Sequence, residues 1–139
     1  MQNSLFSSTD MRLALPNADL YYYPAFIDNQ AKLFHQLVAE LEWRQDTIDM
    51  YGKSMKIPRL NAWYGDGGAD YHYSGIELKP LPWTPLLSAL KTRVEQLLSN
   101  EHGQIAVVFN SVLANFYRNG HDSVAWHSDD EEELGLQPV

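Results

Sequence analysis

The 139-residue sequence contains no cysteine. Disulfides, thiolate metal sites and cysteine nucleophiles are therefore excluded outright. Long apolar runs are also absent: the longest, around residues 105–109, is far too short to cross a bilayer. The first dozen residues are polar, with Arg12 late and no apolar stretch behind it, so no secretory leader is expected. No internal repeat, low-complexity block or Gly/Ser linker interrupts the chain. Positive charge is scarce, with 10 Lys+Arg against 18 Asp+Glu and a formal net charge of -8. Such a chain repels phosphate on average, so composition taken alone speaks against a nucleic-acid partner. The expectation is a soluble protein of the cytoplasm, or of the nucleus in a eukaryote, with no membrane association.

What is present suits one domain. At 45% hydrophobic and 20% charged residues the chain has enough apolar material to bury a core. Residues 1–18 read as an N-terminal tail ending in Leu15-Pro16-Asn17, and residues 19–139 as the domain. Leu20 and the three tyrosines after it are β-prone and are stopped by Pro24. Asp28 then offers a helix cap, followed by Leu33, Phe34, Leu37, Val38 and Leu41 at helical spacing, a face suited to covering a sheet.

Residues 43–64 read as two strands joined near Tyr51-Gly52-Lys53, where Gly52 supplies a positive φ. Asp66-Gly67-Gly68 is a turn before the aromatic segment Tyr71-His72-Tyr73. Thr84-Pro85 caps and opens a second helix with the stripe Leu86, Leu87, Leu90, Val94, Leu97 and Leu98. Residues 105–117 form a long β run, and residues 124–127 a shorter one. Two helices on a mostly β remainder define an α+β class with a sandwich or barrel core.

The sharpest local feature is His127-Ser128-Asp129. In extended backbone, residues two apart point to one face, so the imidazole and carboxylate can grip a metal ion from adjacent corners. That is two-thirds of a 2-His-1-carboxylate facial triad, which leaves positions open for a chelating cosubstrate and dioxygen. The tripeptide alone is common by chance. Upstream, Asn115 and Tyr117 share a strand face, an amide and a phenol suited to holding a carboxylate. The whole stretch reads FNSVLANFYRNGHDSVAWHSDDEEEL. It resembles the Fe(II)/2-oxoglutarate-dependent dioxygenases of the AlkB family, the demethylases of alkylated nucleic acids. PRLNAWYGD, then residues 71–75, then the Pro82-Trp83 lead-in to the second helix, are similar to that family in order and spacing, so that about residues 15–135 are covered.

The resemblance implies a double-stranded β-helix (jelly roll) with two N-terminal helices packed on its sheet. It implies that His127 and Asp129 ligate Fe(II) and that Asn115 and Tyr117 contact the cosubstrate 2-oxoglutarate. It implies that Asp130 contacts the target base with help from Glu131, while Glu132 and Glu133 read as a solvated acidic loop. Tyr71 and Tyr73, two apart, line one wall against the extruded base; His72 between them points the other way. The hairpin tip Tyr51-Gly52-Lys53, behind Met50, matches the place where relatives carry a finger that probes the duplex. Lys53, Lys56 and Arg59 follow it within reach of phosphates. The implied reaction is oxidative dealkylation of bases such as 1-methyladenine and 3-methylcytosine in DNA or RNA, releasing succinate, carbon dioxide and an aldehyde.

The family also draws a second iron-binding histidine, an arginine for the distal carboxylate of 2-oxoglutarate, and further strands from downstream. This sequence has His35, His72, His102 and His121 besides His127, all upstream of it. His121 reads as an exposed loop residue, and none is a substitute. The expectation is an incomplete domain with weak iron binding and uncovered strands prone to self-association. Two other readings stand beside the enzyme: a non-catalytic nucleic-acid binder on the same fold, and an AlkB-like oxygenase acting on protein or lipid. The intact His127-x-Asp129 and Asn115-x-Tyr117 pairs favour an enzyme over a binder. The charge also redistributes on inspection. Residues 50–93 carry six basic side chains (Lys53, Lys56, Arg59, Lys79, Lys91, Arg93) against three acidic ones (Asp66, Asp70, Glu77), while residues 129–133 are all acidic.

Overall fold

The computed structural model describes residues 12–102 and 107–127, in two units divided between Glu40 and Leu41. In the first, β1 (Arg12–Leu15) and β2 (Ala18–Tyr21) pair antiparallel, Leu15 opposite Ala18. Pro16-Asn17 makes the turn: proline fixes one central φ, and Asn17, at φ 59°, takes the left-handed conformation that asparagine tolerates. Leu15-Pro16-Asn17, read from sequence as closing a tail, thus lies in a hairpin whose first strand includes Arg12–Leu15. Helix α1 (Gln30–Glu40) is capped by Asn29, whose Oδ1 accepts the Lys32 N–H at 2.9 Å, one position later than Asp28. Leu33, Leu37 and Val38 are half-buried, and Phe34 lies exposed.

In the second unit, residues 43–65 form three strands rather than two: β3 (Thr47–Met50), β4 (Lys53–Lys56) and β5 (Leu60–Gly65). β3 and β4 close through Tyr51 and Gly52 at φ 51° and 75°, a turn whose twist matches the strands it joins. The base of this hairpin is buried at Asp46 and Ile57, where the Ile57 N–H donates to the Asp46 carbonyl at 2.8 Å. Pro58 follows and forces the break before β5. β6 (Tyr71–Tyr73) and β7 (Ile76–Leu78) pair through a Ser74-Gly75 turn of the same kind.

Helix α2 (Pro85–His102) starts as its sequence predicts: Thr84 Oγ1 accepts the Leu87 N–H at 3.2 Å, and the stripe Leu86 to Leu98 is its sheltered side. Strand β8 (Ser111–Phe116) is shorter than the predicted 105–117 run. The Phe109 N–H instead goes to Glu95 Oε1 at 2.8 Å, and the Asn110 carbonyl takes the Asp66 N–H at 2.7 Å, which leaves residues 107–110 irregular. Residues 103–106 lie outside the described residues. Residues 124–127, predicted as a strand, are not one, because no described strand pairs with them. The α+β class holds at this level: among the described residues there are two helices and four small antiparallel sheets. None of these helices is long and apolar enough to cross a membrane.

β5 is the strand to which the rest of this unit attaches. It pairs with β8 from Leu60↔Phe116 to Gly65↔Ser111, and its other edge is bridged by Arg44 at Asn61 and by Leu81 at Tyr64. Both edges are therefore satisfied, and β5 is buried along almost its whole length. Alternation sorts its side chains. Leu60, Ala62 and Tyr64 share one face with Val112, Ala114 and Phe116, where Phe116 meets Trp43 at 5.5 Å and the Tyr64 hydroxyl accepts the Glu42 N–H at 2.9 Å. Arg59, just before the strand, lies with Asn61, Trp63, Leu113, Asn115 and Tyr117 on the other.

At the Gly65 end that second face is apolar: Trp63, Tyr71 and Leu78 form its core, with Tyr73, Ile76 and Leu113 packed around them. Trp63 stacks on Tyr71 at 4.9 Å and donates its Nε1–H to the Ala69 carbonyl at 2.7 Å.

Gly65 is required by close approach. A Cβ there would sit 2.6 Å from the Asn110 carbonyl oxygen and 2.9 Å from Ser111 Cβ. Gly65→Ala is expected to lower stability by about 1–3 kcal/mol, the usual cost of overpacking. Gly67→Ala, whose added Cβ meets nothing within 4 Å, is expected to stay within about 0.5 kcal/mol of the parent in the same denaturant titration. Equal stability of the two variants would refute the steric role.

Candidate active site

The second face turns polar towards Arg59, and a buried carboxylate gathers the polar groups there. Asp46 Oδ2 accepts the Asn61 Nδ2–H at 2.6 Å and the Tyr73 hydroxyl at 2.8 Å. Its Oδ1 accepts Arg44 Nε–H at 2.7 Å, and Arg44 Nη2 pairs with the same oxygen at 2.5 Å. Asn61 Nδ2 also donates to the Tyr73 hydroxyl at 3.1 Å. An ionised carboxylate only accepts, so the amide of Asn61, 0% exposed, must turn its NH2 group towards Asp46. The Asn61 Oδ1 left behind is buried and bonds to no described group, nor does Arg59 Nε. The Arg59 guanidinium lies 5.9 Å from the Tyr73 ring centroid and also engages the Tyr117 hydroxyl.

These contacts fix protonation. Burial pushes the Asp46 carboxyl up, but hydrogen bonds from Asn61, Tyr73 and Arg44, with the Arg44 charge, outweigh it and hold it below the usual carboxylate value. Burial and the hydrogen bond to Asp46 push the Tyr73 phenol up to about 12, against the opposing pull of Arg59. Burial lowers the Arg59 guanidinium, yet its contacts with Tyr117 and Tyr73 leave it raised overall. At neutral pH the cluster therefore holds the Asp46 carboxylate, the neutral Tyr73 phenol and the Arg59 guanidinium.

The structure brings some predicted site residues together and separates others. Asn115 and Tyr117 share the sheet face with Asn61 and Arg59, Asn115 exposed and Tyr117 42% exposed. Tyr73 joins them from β6, its ring 5.7 Å from Tyr71. Tyr71 itself is buried in the core against Trp63 and Leu78. His72 points to solvent and faces Glu77 across the hairpin at 3.9 Å. Tyr51 stands 98% exposed at the hairpin tip between Met50 and Gly52, with Lys53 and Lys56 exposed on the same hairpin. Arg59 does not join those lysines: it lies beyond the buried hairpin base and turns into the polar cluster. Asp46, Asn61 and Arg44 were not singled out from sequence. Their signal is a pair of polar alternations, Arg44-x-Asp46 and Arg59-x-Asn61, leading into apolar residues.

The loop from Tyr117 to His127 is braced by Arg118 and Asp122. Arg118 donates Nε–H and Nη2–H to the two Asp122 oxygens at 2.7 and 2.9 Å, and its backbone N–H adds a third bond at 2.9 Å. Those side-chain and backbone hydrogen bonds draw the Asp122 carboxyl down to about 2. His121 sits exposed in this turn, as its sequence context predicts. His127 is exposed, with Nδ1 2.8 Å from the Ala125 carbonyl oxygen. A carbonyl can only accept, so Nδ1 carries the hydrogen of this contact. That is the backbone brace typical of a metal-binding histidine. Asp129, Asp130 and Glu131 lie outside the described residues, as do Glu132 and Glu133. Among the described residues no three His, Asp or Glu side chains cluster to hold a metal. The donor chemistry present nevertheless suits the expected groups: an imidazole is a donor type that Fe(II) accepts, and an amide and phenol on one face with a guanidinium beside them suit a carboxylate.

Comparison with known proteins agrees with this chemistry. Residues 19–139 match the 2OG-Fe(II) oxygenase superfamily, and the chain belongs to that family, on its AlkB branch. It is 41% identical over 120 residues to the human protein named alpha-ketoglutarate-dependent dioxygenase alkB homolog 3, and 42% identical over 120 residues to its mouse counterpart. It is 38% identical over 108 residues to the bovine DNA oxidative demethylase ALKBH2. The matches cover 84%, 84% and 76% of this chain, but 39%, 39% and 36% of those relatives, so the chain spans about two-fifths of their length.

The Asp46 cluster carries a pH signature. A carboxyl held below its ordinary value in the fold contributes stability that is present above about pH 4 and lost as pH falls through the folded value. Asp46→Asn is expected to be less stable at pH 7 and to show a shallower loss of stability below pH 4, read from denaturation midpoints across that range. A parallel pH dependence in the two proteins would contradict the assignment.

Proposed function

We propose that this chain is part of an oxidative demethylase of alkylated bases in DNA or RNA, using Fe(II), 2-oxoglutarate and dioxygen within a jelly-roll fold. The observation that carries the reading is the meeting of Asn115, Tyr117 and Arg59, at one sheet face, with Tyr73 of β6 in a chain of this superfamily. The relatives named as demethylases support nucleic acid as the substrate.

In this reading His127, with Asp129, holds Fe(II), and Asn115 and Tyr117 hold 2-oxoglutarate. Bound together, the metal and cosubstrate would activate dioxygen, one atom of which ends in succinate as carbon dioxide is lost from 2-oxoglutarate and the other in the N-alkyl C–H bond, whose carbon then leaves as an aldehyde. The protein's part is to bind and orient. The Asn115 amide and the Tyr117 hydroxyl donate to a carboxylate, and Arg59 keeps positive charge beside them. Tyr73 lines the side against which the extruded base rests, while Asp130 and Glu131 contact that base. Exposed Tyr51, on a primed turn with Lys53, is placed to meet the strand, Lys53 and Lys56 meeting phosphate. Tyr71 supports the wall from behind, and His72 stays on the solvent side. The protein works in the cytoplasm, or in the nucleus of a eukaryote.

Two measurements test this. In calorimetric titration under anaerobic Fe(II), 2-oxoglutarate binding is expected to weaken roughly ten- to a hundredfold on Asn115→Ala or Tyr117→Phe, the scale of a lost hydrogen bond to a charged group. In parallel, an oligonucleotide carrying 1-methyladenine or 3-methylcytosine is expected to compete better than its unmethylated form for binding. Unchanged cosubstrate affinity would overturn the roles of Asn115 and Tyr117. Indifference to the methyl group would overturn the substrate.

A further inference from the structure

His127 stands ten residues beyond Tyr117, and the first half of that path is closed on itself. Arg118 grips both Asp122 oxygens through Nε–H and Nη2–H at 2.7 and 2.9 Å, and its backbone N–H donates to Asp122 Oδ2 at 2.9 Å. Inside this ring the Asp122 N–H donates to the Asn119 carbonyl at 3.1 Å, and the His121 N–H to Asn119 Oδ1 at 2.9 Å. Surface ion pairs usually contribute little, because two long side chains must be ordered to make them. This pair departs from that case: it is bidentate, a backbone donor joins it, and the Asp122 side chain is only 7% exposed. Every one of these bonds is internal to the loop. What they fix is therefore the place of Asp122 relative to the end of β8.

We infer that Arg118 and Asp122 are positioning residues, a clamp that sets the separation of Tyr117 and His127 so that one molecule of cosubstrate reaches both ends of the site. The inference rests on the reading above, in which His127 holds Fe(II) and Asn115 and Tyr117 hold 2-oxoglutarate. It adds how two groups carried on different kinds of backbone are kept in step. Asn115 lies on β8 and Tyr117 just past its end, so pairing with β5 places them. No strand pairing among the described residues places His127. A ligand that binds at two points gains from the second only when the separation suits its length. The clamp leaves five residues free between Asp122 and His127 in place of ten from Tyr117. Closure of a flexible segment falls with about the 3/2 power of its length, so doubling the free span lowers the effective concentration about threefold. Binding of 2-oxoglutarate without metal uses only the β8 end, and binding of Fe(II) alone only the far end. Neither depends on the clamp, whereas their mutual reinforcement does.

The test uses the full chain and its Arg118→Gln, Asp122→Ala and double variants. Anaerobic calorimetry measures 2-oxoglutarate affinity without metal and with saturating Fe(II), and the ratio is the gain that the metal confers. Coupling is reciprocal, so Fe(II) affinity without and with 2-oxoglutarate yields the same ratio where metal-free cosubstrate binding is too weak to titrate. Each single variant is expected to lose at least about threefold of the parental gain while its metal-free affinity for 2-oxoglutarate stays unchanged. The double variant is expected to lose no more than either single one, since each breaks the same clamp. If Asp122→Ala does not fold, Arg118→Gln decides the matter. A parental gain in the single variants overturns the inference, as does additive loss in the double variant or an equal loss of affinity without metal, while the reading of the site stands. A parent chain whose affinity for 2-oxoglutarate is indifferent to Fe(II) overturns both.

Discussion

A carboxylate can stay charged inside a protein only where donors replace the water it has lost. Asp46 meets that condition with Arg44 on one oxygen and Asn61 and Tyr73 on the other. Much of the larger unit's arrangement follows from satisfying it. The donors come from the chain before β3, from β5 and from β6, so the segments that carry them must meet at the base of the β3–β4 hairpin. The backbone seals the same point, with Ile57 bonded to Asp46 and Arg44 exchanging hydrogen bonds with Asn61. Removing one partner would leave buried polar groups unmatched, which is why such a cluster tolerates only one arrangement.

That arrangement places the apolar and polar halves of one sheet face next to each other. Trp63 and Leu113 sit opposite one another and anchor the core, while Asn61 and Asn115, one pair further along, begin the polar end. The rings of Trp63, Tyr71 and Tyr73 run from one to the other at 4.9 and 5.7 Å and finish under Arg59. A site built so has a floor continuous with the hydrophobic core, and its chemistry-bearing groups stand on strands, as Asn61, Tyr73 and Asn115 do, or directly beside a strand end, as Asp46, Arg59 and Tyr117 do. The exception is His127, which lies ten residues beyond Tyr117 and is reached through a turn. The Arg118–Asp122 pair and its backbone bond give that turn a defined shape where no strand pairing among the described residues does so.

Much of this was readable from the residues because it is local. The Tyr51-Gly52 turn, the Thr84-Pro85 cap and the α2 stripe depend on neighbours in sequence, and each is where the sequence places it. Errors arose where tertiary partners decide. Residues 105–117 look like one strand by composition, yet Glu95 and Asp66 capture the backbone at Phe109 and Asn110 and shorten it. Val124 to His127 are β-prone, but a strand needs a partner. The same limit explains the site. Asn115 and Tyr117 announce themselves by their spacing, whereas Asp46 becomes meaningful only once the fold brings Asn61 and Tyr73 to it, 15 and 27 residues on.

The net charge of -8 illustrates how an average can mislead about a surface. Arg44 is committed to Asp46 and Arg118 to Asp122, while Arg59 is turned inward towards Tyr73 and Tyr117. Those three guanidinium groups therefore serve the fold and the site, and contribute little to a long-range attraction for phosphate. Lys53 and Lys56 differ: both are exposed on the hairpin that lifts Tyr51 into solvent. On the proposed reading, a strand of nucleic acid would meet positive charge there first and the inward-facing cluster only after a base leaves its stack. On that reading, affinity for phosphate and recognition of the base would reside on different elements, so that each could be altered without the other.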